Sequence, residues 1–198
     1  MSIPTWLMQL GTHFIHIPFR YKKYTIDILL PILYNTSNCH KLTNEIFGRT
    51  DTMTQEQYAE LLKKAFASEY SFYLKAQNFH WNVEGSLFPQ YHEFFGNIYG
   101  EVGNSIDTFA EQLRAARVYA PAAFTLLDQL SEVECQETVP DGMQMVQELL
   151  ADSDLMAEMF KTVYQAAESM GDYGLANFLA DRQDAHRKHS WMLRSTLK

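Results

Sequence analysis

HWNVEGSLFPQYHEFFGNIYGEVGNSIDTFAE, residues 80–111, joins the end of one amphipathic helix to most of a second through the pair Gly85-Ser86. Gly85 supplies a residue tolerant of the left-handed conformation, Ser86 a hydroxyl able to cap the next helix, and Pro89 suits a first helical turn. Upstream, Tyr58, Leu61, Leu62, Ala65, Phe66, Tyr70, Tyr73, Leu74 and Ala76 recur at separations of three and four, which predicts a first long helix from Thr54 to about Glu84. Thr54 with Gln57 three residues later forms a capping-box pattern at its start. Downstream, a second long helix is expected from about Leu87 to Val118, stopped by Pro121.

Residues 119–140 make a long connection with a short helix possible at Phe124–Leu130. Asp141 caps a third long helix, whose apolar positions run from Val146 to Ala167 and which Gly171 ends. A fourth follows from about Asp172 to Leu197, with Leu175, Phe178, Leu179, His186, His189, Trp191 and Leu193 on its packing side. Four long helices joined short, long, short specify an all-α fold: a ferritin-like four-helix bundle with one long crossover that carries the short helix. No strand pair or internal repeat competes with it. The methionines between Met143 and Met170 suit adaptable core filling.

Residues 1–52 show no sustained period of 2 or 3.6 and contain prolines at 4, 18 and 31. Three readings stand open for this N-terminal extension: a flexible basic arm, a short extra subdomain, or a stretch upstream of a native start at Met53. The domain proper is 53–198.

With 198 residues, 46% of them hydrophobic and 20% charged, the chain has the composition of a soluble globular protein. The net charge of −8 is uneven. Residues 1–52 hold five Lys/Arg (Arg20, Lys22, Lys23, Lys41, Arg49) against three acids, which leaves 53–198 with 11 basic and 21 acidic residues, a net of −10. So acidic a body repels phosphate and attracts cations, disfavouring DNA binding through its surface. The only cysteines, Cys39 and Cys135, match no zinc spacing and suit a reducing, cytoplasmic setting. No apolar run is long enough for a membrane span.

Chemistry concentrates in the opening stretch. His80 lies five residues before the Gly85-Ser86 turn and His92 six after it, so in an antiparallel helix pair they sit at one level and can share a metal. Asp107 and Glu111, four apart, are neighbours on one helical face. They lie at least 15 residues beyond His92, or about 22 Å along the helix, so one chain cannot gather all four. A second copy whose helix packs antiparallel to the first can, and two equivalent sites result per dimer. Gly96, Gly100 and Gly103 fall on the same stripe near the crossing point; each costs about 1 kcal/mol inside a helix, which points to close backbone approach there. Imidazole and carboxylate without thiolate suit Fe(II), Mn(II) or Zn(II). No Glu-x-x-His occurs, which argues against a di-iron centre inside one bundle.

His80-Trp81-Asn82-Val83-x-Gly85, His92 twelve residues after His80, Asp107-x-x-x-Glu111, and His186-x-Lys188-x-x-Trp191-Met192-Leu193-Arg194 together resemble the Dps proteins, or mini-ferritins, over residues 53–198. The resemblance implies a hollow homododecamer that oxidises Fe(II) with hydrogen peroxide or dioxygen at inter-subunit sites and stores Fe(III) mineral, thereby protecting DNA. It implies His80 and His92 from one subunit, Asp107 and Glu111 from its partner, and Trp81 as the near-site tryptophan. Glu168, Asp172 and Asp181 are pore candidates by the same resemblance. One departure stands out: the family commonly carries aspartate four residues after the second histidine, where this chain has Gly96. That loss is expected to weaken the metal position on the histidine side, with Glu93 and Glu101 as conceivable substitutes. The competing functions are a DNA-binding or DNA-compacting protein acting through Arg20, Lys22 and Lys23, and a structural cage with a decayed site.

Overall fold

The computed structural model of the chain describes residues 14–21, 24–31 and 53–198. The chain divides into two units, Met1–Thr52 and Met53–Lys198. In the first, strand β1 (Phe14–Tyr21) pairs antiparallel with β2 (Tyr24–Pro31), from Phe14 opposite Pro31 to Tyr21 opposite Tyr24. The pair belongs to the first unit and does not compete with the all-α reading of 53–198. Ile15, Ile17, Phe19 and Tyr21 alternate, and the register sets them opposite Leu30, Ile28, Ile26 and Tyr24. Pro18 masks that period of two, yet a proline is tolerated here because both strands of a two-stranded ladder are edges. Cys39, Lys22, Lys23, Lys41 and Arg49 lie outside the described residues.

The second unit is all-α: α1 (Gln55–Asn82), α2 (Phe88–Ala115), α3 (Phe124–Leu130), α4 (Gly142–Ser169) and α5 (Tyr173–Thr196). Helix α1 packs along α2, α4 along α5, and α1 also against α4, with the short α3 lying on α1. That is a ferritin-like four-helix bundle with its crossover between α2 and α4. Large rings and branched chains fill the middle: Phe72, Phe79, Phe95, Phe109, Phe160, Leu62 and Leu149 are fully buried. Met145, Met156 and Met159 are core residues as well.

The caps explain where the helices start and stop. Thr54 Oγ1 accepts from Gln57 N, and Gln57 Oε1 accepts from Thr54 N, closing the capping box. Asp141 accepts from the backbone of Met143 and Gln144. Gly171 adopts φ 74° at the end of α4. Three expectations need correction. Helix α2 has Leu87 as its N-cap with no side-chain cap bond, so Ser86 does not serve there; Pro89 in the first turn already removes one unpaired N–H. It also ends at Ala115, well before Pro121. Arg117 takes the left-handed conformation, φ 63°, so that Arg117 N donates to Arg114 O and Val118 N to Leu113 O, tucking Val118 into the core. This is a Schellman ending with arginine where glycine is usual. Trp191 is 61% exposed and not on the packing side of α5.

Candidate metal centre

Antiparallel pairing of α1 with α2 brings His80 and His92 together. Their rings stack with centroids 3.8 Å apart and planes 22° from parallel. His80 Nδ1 lies 2.6 Å from the carbonyl oxygen of His92, and His92 Nδ1 lies 2.8 Å from the carbonyl oxygen of His80. A carbonyl can only accept, so each Nδ1 carries the proton and donates. The two Nε2 lone pairs are thereby left for a metal, in a ring orientation fixed by the backbone of the opposing helix. The donor set therefore fits a divalent cation.

Gly96 is part of this geometry. A Cβ added there would sit 3.1 Å from both Cε1 and Nδ1 of His80. To admit a side chain the imidazole, tied to His92 O, must give by a few tenths of an ångström. Gly103 plays the same part for Tyr73, whose Cε2 lies 3.0 Å from where its Cβ would stand, whereas Gly100 meets nothing within 4 Å. Two of the three stripe glycines thus serve contacts within the chain, and only Gly100 is left to argue for a close approach by a second copy.

Asp107 and Glu111 lie further along α2, both exposed and without a hydrogen bond or ion pair among the described residues. Among the described residues of one chain, no group of three or more His, Cys, Asp or Glu is placed to hold a metal ion. Trp81 is 64% exposed beside the histidines. Neither proposed substitute for the missing aspartate is available in the chain: Glu93 points to solvent, and Glu101 is bound elsewhere. Of the pore candidates, Glu168 accepts from the Tyr164 hydroxyl at 2.6 Å, Asp172 caps α5, and Asp181 is exposed.

Glu101 belongs to a polar network inside the bundle that sequence patterning does not anticipate. Arg182, 4% exposed, donates through Nε to Glu69 Oε1 at 3.0 Å and through Nη1 and Nη2 to Glu101. His186 Nε2 donates to Glu69 Oε2 at 2.8 Å, and Ser105 Oγ donates to Oε1 at 3.3 Å. Burial alone would raise the Glu69 carboxyl, but His186 and Arg182 outweigh it and bring its pKa down to about 2. Burial, with help from the neighbouring His186 and Arg182, lowers His189 to about 4. Larger ferritin-like carboxylate proteins hold metals in the bundle interior; here a guanidinium supplies positive charge there. The signal was present in the sequence: Glu69 and Arg182 interrupt apolar stripes with opposite charges.

The family profile described as Ferritin-like domain matches residues 59–198. The DNA protection during starvation protein of Brevibacillus brevis is 33% identical over 150 residues, 74% of this chain and 99% of that relative. General stress protein 20U of Bacillus subtilis is 32% identical over 144 residues, 72% of this chain and 98% of that relative. Among solved structures, Dps from Thermosynechococcus elongatus aligns with a TM-score of 0.71 at 27% identity, covering 75% of this chain and 96% of that one.

Proposed function

The chain belongs to the Dps family of ferritin-like proteins, and from that premise we propose that it is an iron-sequestering mini-ferritin that oxidises Fe(II) at sites shared between two copies. The observation that carries this reading is the reciprocal pair of Nδ1–H to carbonyl bonds, which leaves the Nε2 lone pair of each imidazole free. Asp107 and Glu111 of a second copy complete the set with hard oxygen donors suited to iron. Fe(II) is the substrate. Two Fe(II) reduce one hydrogen peroxide, with two protons, to two waters and leave two Fe(III); dioxygen is the alternative oxidant. The imidazoles hold the incoming cation, and the carboxylates neutralise the charge that rises as it is oxidised. Trp81 flanks the site.

The product collects as ferric mineral in a hollow dodecamer, and the acidic body draws Fe(II) toward it. Removing ferrous iron and peroxide together protects DNA in the cytoplasm without contact with it, in keeping with the name of the Brevibacillus relative. A second reading has one observation behind it: the Gly96 seat leaves the histidine side without a carboxylate, which suits a cage whose oxidation site is weakened. The test is anaerobic Fe(II) titration followed by peroxide, monitoring ferric absorbance. Rapid turnover that the double variant His80→Ala/Asp107→Ala abolishes is expected; equal rates in that variant refute the site. Solution mass measurement must show an oligomer, since a stable monomer could not build it. DNA mobility shifts on chains starting at Met1 and at Met53 separate an arm effect from a cage effect.

A further inference from the structure

From the histidine pair a line of rings runs along the seam between α1 and α2. His92 stacks on His80 at 3.8 Å, Tyr99 lies 5.0 Å from His80, Tyr73 lies 6.0 Å from Tyr99, and Tyr70 lies 6.0 Å from Tyr73, all between ring centroids. These are ordinary aromatic contact distances, so the line has no gap. It is built by helical spacing, with Tyr73 one pair of turns before His80 and Tyr99 the same distance after His92. The glycines at 96 and 103 make room for it, one under His80 and one under Tyr73. The deeper rings at 72, 79, 95 and 109 are phenylalanines, with Tyr58 and Tyr91 also buried, and the three that follow the histidines each carry a phenol and are half-buried. The Gln77 amide donates to the Tyr73 hydroxyl at 2.9 Å. Packing alone needs no hydroxyl at these positions. Trp81 makes no ring contact among the described residues and lies off the line.

We propose that Tyr99, backed by Tyr73 and Tyr70, is a one-electron donor to peroxide held at the His80–His92 site. The proposal rests on the ferroxidase reading above and deepens it. Reducing hydrogen peroxide to water takes two electrons, and a lone Fe(II) supplies one. With Gly96 in place of a carboxylate, the histidine side is poorly furnished for a second iron, and one-electron reduction alone would release hydroxyl radical. A phenol beside the site closes the balance. Hydrogen peroxide, Fe(II), Tyr–OH and one proton give two waters, Fe(III) and Tyr–O•: the O–O bond and the phenol O–H bond break, and iron and tyrosine each give up one electron. A later Fe(II) with one proton restores Tyr–OH and becomes Fe(III). The sum is the ordinary stoichiometry of two Fe(II) per peroxide, achieved with one iron at a time. Tyr73 and Tyr70 spread the stored oxidising equivalent away from the iron.

Tyr99→Phe removes one oxygen and keeps the ring, so folding and assembly are preserved, which solution mass and thermal unfolding verify. The full chain, loaded with one Fe(II) per subunit and freeze-quenched after mixing with peroxide, is expected to show a phenoxyl radical by electron paramagnetic resonance that disappears when more Fe(II) is added. In Tyr99→Phe that signal falls severalfold and the yield of trapped hydroxyl radical rises. Tyr119→Phe, at an exposed position off the line, leaves both unchanged. Iron oxidation with no phenoxyl signal, or with the same signal in Tyr99→Phe, overturns the relay while the ferroxidase reading survives. Absence of iron oxidation overturns both.

Discussion

The buried contact between Glu69 and Arg182 permits a sharp test of what holds the bundle interior together. Glu69 is fully buried and accepts three hydrogen bonds, from Arg182 Nε, His186 Nε2 and Ser105 Oγ. Glu69→Leu strips Arg182 of its buried partner and leaves it only Glu101, whose side chain is 43% exposed. Breaking one side of a buried pair costs about 3–5 kcal/mol, because the remaining charge stays desolvated. Arg182→Met should cost a similar amount for the converse reason. In the double variant Glu69→Leu/Arg182→Met both charges are gone, and the main orphan is the His186 N–H, at about 1–3 kcal/mol. The double variant should therefore be no less stable than either single one, a coupling of at least about 3 kcal/mol. Equilibrium urea unfolding at pH 7, followed by circular dichroism, measures all four proteins at one protein concentration, since association adds stability by mass action. A double variant destabilised by the sum of the singles would refute the reasoning.

Acidification should weaken the fold in two stages. His189 has a folded pKa near 4 against 6.5 when free, so between those values the unfolded chain takes up a proton that the folded one does not, and about 3 kcal/mol is lost as pH falls through that window. Glu69, about 2 folded against 4.5 free, holds its contribution above pH 4.5 and loses it, again about 3 kcal/mol, on the way down to 2. Urea midpoints measured against pH should show both limbs, and His189→Gln should flatten the upper one; an unchanged upper limb contradicts the assignment. Gly96→Ala gains about 1 kcal/mol of helix propensity and loses about as much to overpacking against His80, so the Tm hardly moves while Co(II) affinity, read by absorbance titration, falls. Unchanged affinity would show that His80 tolerates the intruding methyl. Arg117→Gly relieves a left-handed arginine and should stabilise by about 1 kcal/mol in thermal unfolding; a lower Tm would mean that the arginine side chain matters more than its backbone strain.

Most of the bundle was legible because its signals are local. Thr54 and Gln57, Asp141, Gly171 and the three-and-four spacing of apolar residues each act within a turn or two, and α1, α3, α4 and α5 appear close to where those residues put them. Helix α2 ended early because Arg117 took a conformation that sequence assigns to glycine. The strand pair escaped because Pro18 breaks an alternation that only the partner strand makes evident. At the site, counting residues around a turn sufficed to bring His80 level with His92. What counting could not supply was the third dimension: that their Nδ1 atoms are spent on each other's backbone, that two glycines serve the α1–α2 seam, and that Glu101 is bound to Arg182. Each depends on which of two facing helices fills a gap, and a one-dimensional pattern does not say.

The seat under His80 also bears on history. Glycine and aspartate are single-base neighbours in the genetic code, so a carboxylate at position 96 is always one mutation away. With the imidazole resting on the bare backbone and tied to the His92 carbonyl, such a side chain requires the ring to give by a few tenths of an ångström. A side chain at 96 and the present position of the His80 ring are thus coupled, and any ligand gained there carries a shift of that ring with it.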